Sequence, residues 1–207
     1  MGKREALEAP DEILVVSAII GDLSAFDELV FRYRAAVVRL AQTITGCKED
    51  AEDIAQDAFL IAFKALPSIE MPSKFAPWLN AITRNRAKRF LREEKNYRLK
   101  RVGLDEILLE QIGALSLPFE NESETGELAL ALEQIPPDHA LALRLHFFDE
   151  MPHKQIAAFL GVPVSTVKWR VHKGKEHLRE QFEFTQNKEG IWKKKKKSVG
   201  SSESSAK

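Results

Sequence analysis

Two groups of side chains in this 207-residue sequence have the types and spacing to do chemistry. The first is Asp53 and Asp57, one helical turn apart within residues 50–65, with Gln56, Leu60 and Lys64 along the same strip. A side-by-side carboxylate pair next to an exposed leucine suits general acid–base work, a metal ion or a protein-docking face, and a solvated helix surface would look the same. No His or Cys stands at ligand spacing from the pair, which disfavours a metal. The second group lies in residues 164–182, where Ser165, Thr166, Trp169, His172 and Lys173 share one helical face, flanked by Lys168 and Arg170. Cations and hydroxyls of this kind hold phosphates while a few side chains reach base edges. A water-facing indole needs a reason, because Trp is usually well buried; the alternative is an amphipathic surface helix whose Trp packs on a neighbour. The five histidines (139, 146, 153, 172 and 177) show no ligand or triad pattern, and Pro152 interrupts any helix that could align the first three. No phosphate-binding Gly loop or nucleophile motif occurs. The expectation is therefore a binding protein and not an enzyme, with no cofactor and no metal.

Helices must position both groups. Gly21-Asp22 opens a helix in which Phe26, Leu29, Val30, Tyr33 and Val37 recur at three- and four-residue steps. Lys48-Glu49-Asp50 starts a second, running to about Leu66 before Pro67, with Ile54, Ala58, Ile61 and Ala65 on its core face. A third starts near Ser73, carries Phe75, Leu79 and Ile82, then turns basic. Further on, Leu128, Leu132 and Ile135 form one apolar stripe and Leu141, Leu145 and Phe148 another, separated by Pro136-Pro137. Residues 152–160, a turn at Gly161-Val162-Pro163 and a helix to about Phe182 fit a helix-turn-helix, with Val164, Val167, Val171 and Leu178 as the packing face of its second helix. The fold expected is all-α: a helical domain over 10–96, an acidic linker over 97–124, a second helical domain over 125–182, and a disordered Lys- and Ser-rich tail over 183–207.

Composition agrees with a soluble globular chain, 44% apolar and 30% charged. The single cysteine, Cys47, forms no internal disulfide, and the longest apolar run, 13–20, is too short for a bilayer. The charged N-terminus carries no targeting pattern, so a cytoplasmic location is expected. Lys plus Arg equals Asp plus Glu, but the charge is sorted along the chain. Residues 84–101 carry +7, residues 102–138 carry −9, and residues 163–181 carry +3. Two separated basic patches suggest a polyanion contacted at two places.

These segments carry a family resemblance. Residues 21–26 (GDLSAF), 50–60 (DAEDIAQDAFL) and 77–85 (PWLNAITRN), in this order, resemble region 2 of the extracytoplasmic-function (ECF) sigma factors, the small two-domain group of the sigma-70 family. Residues 131–137 (ALEQIPP), 155–162 (QIAAFLGV) and 164–173 (VSTVKWRVHK) resemble region 4 of that family. The resemblance implies an RNA polymerase sigma factor. Asp50, Asp53, Gln56, Asp57 and Leu60 would dock on the clamp coiled coil of the polymerase β′ subunit. Lys74, Trp78, Arg84, Asn85, Arg86, Lys88, Arg89 and Arg92 would receive the −10 element of promoter DNA as its strands separate. Region 4 would sit on the β flap and read the −35 element with Ser165, Thr166, Lys168, Trp169, Arg170, His172 and Lys173. The acidic linker would thread toward the active-site and RNA-exit channels, and the family often uses an anti-sigma factor to hold its members inactive, which adds a candidate partner.

Three residues depart from the family pattern. Arg89 stands where an aspartate usually follows the matched Asn85 by four residues. Pro163 replaces the Ser or Thr cap of the recognition helix. Trp169 is far bulkier than the small residue common at its position, so a −35 preference does not carry over. A stand-alone helix-turn-helix regulator is the competing reading; it leaves the acidic strip and the Trp78 helix without a role.

Overall fold

The computed structural model describes residues 9–102 and 126–188. Among them the regular structure is entirely helical. In chain order these are α1 (Asp11–Ile19), α2 (Leu23–Thr45), α3 (Lys48–Ala65), two single 3₁₀ turns (Leu66–Ser68 and Pro72–Lys74), α4 (Phe75–Val102), α5 (Gly126–Glu133), α6 (Pro137–Phe147), α7 (His153–Leu160) and α8 (Val164–Lys188).

Local signals explain several ends. The Asp22 carboxylate accepts from the Ser24 and Ala25 amides and starts α2, satisfying donors that a helix leaves open at its first turn. Gly46, at φ 77°, closes the same helix in the left-handed region, and Gly161, at φ 67°, closes α7. Two helices run further than expected. The boundary at 96 falls inside α4, which continues to Val102, and the boundary at 182 falls inside α8, which continues to Lys188. Neither stretch contains a Gly or Pro, and Lys, Arg, Glu and Leu are good helix formers, so loss of the apolar face does not end the helix. The run around 13–20, read only as too short for a membrane, is helix α1, with Leu14, Val15 and Ala18 buried. Most of the expected linker, and residues 189–207 of the expected tail, lie outside the described residues.

Helices α2, α3 and α4 pack against one another, with α1 across α2 and α4. The α3 core face is broader than expected and displaced from it. Ala51, Ile54, Ala55, Ala58, Phe59 and Ala62 are buried, whereas Ile61, assigned to that face, is 42% exposed. Helix α3 lies against both α2 and α4, so its buried stripe spans two contacts; the alanines let the backbones come close. On α8 the same kind of correction applies. Val164 is 38% exposed, and Gly174 takes its place in the buried row with Val167 and Val171. A β-carbon at Gly174 would lie 2.6 Å from Leu143 Cδ1, so any larger residue there would force the buried Leu143 side chain of α6 to shift.

The two helical units share one core. Helix α7 packs on α4 and α2, and α6 packs on α2. Phe159 of α7 is fully buried and stacks on Tyr33, whose ring also meets Phe75. The Arg39 guanidinium Nε lies 3.0 Å from Asp149 Oδ2, and Gln155 Nε2 donates to the Arg32 carbonyl at 2.8 Å. Burial and the Asp11 carboxylate it donates to hold the Tyr33 hydroxyl in its protonated form, its pKa pushed far up.

Candidate protein-docking and nucleic-acid surfaces

On α3 the structure presents Asp53, Gln56, Leu60 and Lys64 to solvent, with Asp50 half-buried in the first turn. Leu60 is 56% exposed, and Ile61 and Phe63 widen the apolar part of the strip. The mixture is that of a protein-docking face, with a desolvatable centre and carboxylates beside it. Asp57 differs from Asp53. Its Oδ2 accepts from Arg86 Nε at 2.8 Å and lies 2.7 Å from Arg86 Nη2, a two-pronged pair that ties α3 to α4.

That pair separates Arg86 from the cations expected to meet the −10 element. Asn85, Lys88, Arg89 and Arg92 are exposed and recur at steps of three, one and three, so they share one face of α4. Arg86 points elsewhere, its side chain 21% exposed and its guanidinium also near the Phe90 ring. Arg84 is half-buried and donates from Nε to Asn80 Oδ1 at 3.0 Å. Trp78 is half-buried against Phe75, and Lys74 is exposed in the turn before the helix. Arg89, where an acidic residue was expected, pairs with Glu93 one turn on at 2.7 Å.

Helix α8 begins without a side-chain cap, and the backbone supplies the closure. The Pro163 carbonyl accepts from the amides of Thr166 and Val167 at 3.0 and 3.3 Å. Ser165, Lys168, Trp169 and His172 are exposed, and Thr166 and Lys173 are half-buried. His172 and Lys173 both turn toward Glu176, at 3.3 and 2.6 Å. Arg170, expected beside the phosphates, is committed to Asp138 of α6 at 2.7 Å with 18% of its side chain exposed.

The histidines meet in a way that the primary sequence does not reveal. The turn between α6 and α7 brings the His146 and His153 rings to 4.1 Å between centroids. Burial, then His146, Lys168 and Lys175, hold His153 below the ordinary histidine value. His139 lies between Trp169 and His177. Among the described residues, no three His, Cys, Asp or Glu side chains converge to hold a metal ion, and no helix is long and apolar enough to cross a membrane.

Comparison with known proteins places this arrangement. The Sigma-70 region 2 family model matches residues 29–97, and the Sigma-70, region 4 model matches residues 125–178. The ECF sigma factor SigW of Bacillus subtilis is 32% identical over 170 residues, covering 78% of this chain and 91% of SigW. The ECF sigma-E factor of Escherichia coli K12 is 34% identical over 178 residues, covering 81% of this chain and 92% of the relative. SigE of Mycolicibacterium smegmatis is 30% identical over 159 residues, covering 76% of this chain and 62% of that longer protein. Among solved structures, CnrH in complex with the cytosolic domain of CnrY superposes with a TM-score of 0.51 at 24% identity, covering 84% of this chain and 97% of CnrH, a likeness of fold. The chain belongs to the sigma-70 family of RNA polymerase sigma factors, in its extracytoplasmic-function group, whose members direct transcription initiation.

Proposed function

We propose that the chain binds core RNA polymerase through the α3 strip, meets the −10 element with α4 and reads the −35 element with α8. The observation that carries this reading is the layout of polar surfaces. An acidic–apolar strip on α3 and a cationic row on α4 lie side by side, joined by the Asp57–Arg86 pair, and a second DNA-suited face stands on α8. Asp53, Gln56 and Leu60 meet the β′ clamp coiled coil. Asn85, Lys88, Arg89, Arg92 and Lys74 receive the −10 strands, with Arg86 bracing α4 from below. Ser165, Thr166, Lys168, Trp169, His172 and Lys173 face the −35 duplex, Arg170 holds α8 to α6, and region 4 rests on the β flap. The protein acts in the cytoplasm. An anti-sigma factor completes its partners; the related CnrH was solved bound to a second protein.

Transcription in vitro tests the reading. Core polymerase with this protein on genomic fragments should initiate at discrete sites that share −10 and −35 sequences; initiation no different from core alone overturns it. Free protein should bind duplex promoter DNA weakly and with strong salt dependence, since each phosphate neutralised contributes about 0.9 to the log–log slope. Lys168→Ala should lower that slope by about one unit across all sequences. Permanganate-reactive thymines at −10 should appear only with core enzyme, because unstacking costs a few kcal/mol that bound sites must offset. Strand opening by the protein alone would count against it.

A further inference from the structure

Trp169 departs furthest from the pattern this chain otherwise follows, and the neighbouring helix holds it in place. The indole is 53% exposed. Its ring meets the imidazole of His139, on α6, at 5.1 Å between centroids with the planes at 89°. His139 is stacked on its other side against His177, two turns along α8, at 5.9 Å. Its neighbour Asp138 pairs with Arg170 at 2.7 Å, which pins α6 to α8 beside the contact. Gly174 sits at this crossing, where a β-carbon would lie 2.6 Å from Leu143 Cδ1 of α6. The Nδ1 atom of His139 is buried without a hydrogen-bond partner. Ring packing, and no hydrogen bond at that nitrogen, therefore sets its orientation. Burial, reinforced by His177 and Arg170, holds His139 below the ordinary histidine value, so the ring is neutral at pH 7.

A half-exposed tryptophan with no support samples several rotamers, and ordering it on binding costs affinity. An edge-on aromatic neighbour removes that freedom in advance. In the major groove a fixed indole offers a flat apolar face, and the apolar feature it can meet there is the C5-methyl of thymine.

We infer that His139 is a positioning residue for −35 recognition: it fixes the Trp169 indole so that α8 selects thymine at the base step facing that ring. The inference rests on the reading of α8 as the −35 helix. A thymine methyl buried against the indole is worth about one methylene of transfer, a preference of about fourfold over cytosine.

The test is a promoter library with randomised −35 sequence, transcribed by holoenzyme carrying the full chain or its Trp169→Ala, His139→Ala, His139→Phe or doubly substituted variant. The thymine preference should fall from about fourfold to about onefold in Trp169→Ala, and most of the way in His139→Ala. The double variant should lose no more than Trp169→Ala, because the two residues act as one unit. His139→Phe, which keeps a ring in the slot, should retain most of the preference. The quantity read is a ratio between sequences within one holoenzyme, so a loss of folded protein scales every sequence alike and leaves it unchanged. An unmoved preference in His139→Ala, effects that add in the double variant, or no retention in His139→Phe overturns the positioning role. If erasing the −35 element leaves wild-type transcription unchanged, the reading of α8 falls and this inference with it. If transcription needs the element while His139→Ala selects as wild type does, only the inference falls.

Discussion

Labels at Ala81 on α4 and Lys154 on α7, in a Cys47→Ser background, should move apart by tens of ångströms between the free protein and holoenzyme on promoter DNA. Both residues are exposed, and their helices touch in the structure. Elements centred near −10 and −35 are roughly 25 base pairs apart, or about 85 Å along the duplex. Helix α4 and the α7–α8 unit cannot serve both while α4 and α7 stay in contact. Opening must expose Phe159, now fully buried against Tyr33, and separate Arg39 from Asp149, whose side chains are 12% and 16% exposed. Uncovering one phenylalanine costs about 1.5–3 kcal/mol, so the closed form dominates until a partner binds the open form better by at least that much. Asp149→Asn weakens the polar tie while keeping its shape. It should shift the free protein's distance distribution toward longer values and raise its affinity for −35 duplex. An unchanged distance on core polymerase and promoter would remove the proposed use of α4 and α8 on one promoter.

That closure is the part of the structure least legible in the sequence. Asp22, Gly46 and Gly161 announce helix ends through chemistry confined to a few neighbouring residues, and the ends of α2 and α7 fall beside them. The Tyr33–Phe159 contact joins residues far apart along the chain, and each looks like an ordinary core residue of its own unit. The candidate surfaces divide in the same way. The exposed strip Asp53, Gln56, Leu60 follows from helical spacing alone. The cation count over 84–101 could not separate Arg86 from its neighbours, although the three- and four-residue recurrence of 85, 88, 89 and 92 already leaves 86 off their face. Its partner, Asp57, is a tertiary fact. Arg170 is similar, because only the α6–α8 crossing brings Asp138 to it, and Gly174 sits at that crossing against Leu143.

Asp53→Arg and Asp57→Arg, which spacing alone would treat as equivalent, should have different consequences. Asp53 is exposed on the docking strip, so its reversal should lower affinity for core polymerase by tenfold or more, as a favourable charge contact becomes a repulsive one. Its melting temperature should stay within a degree or two of wild type, because surface substitutions away from partners change stability by about 0.5 kcal/mol or less. Asp57→Arg should lose core affinity too, but it also sets a cation beside Arg86, whose Nη2 now lies 2.7 Å from the Asp57 carboxylate. The Arg86 side chain is only 21% exposed, so the repulsion is incompletely screened and the melting temperature should drop by several degrees. The charge swap Asp57→Arg with Arg86→Asp separates the two roles. It should recover most of the lost melting temperature, since the pair is restored in reverse, while core binding stays weak because the docking face still carries the wrong sign. Recovery of core affinity along with stability would mean that Asp57 acts only by bracing α4. Full affinity in Asp53→Arg would mean that this strip is not where polymerase docks.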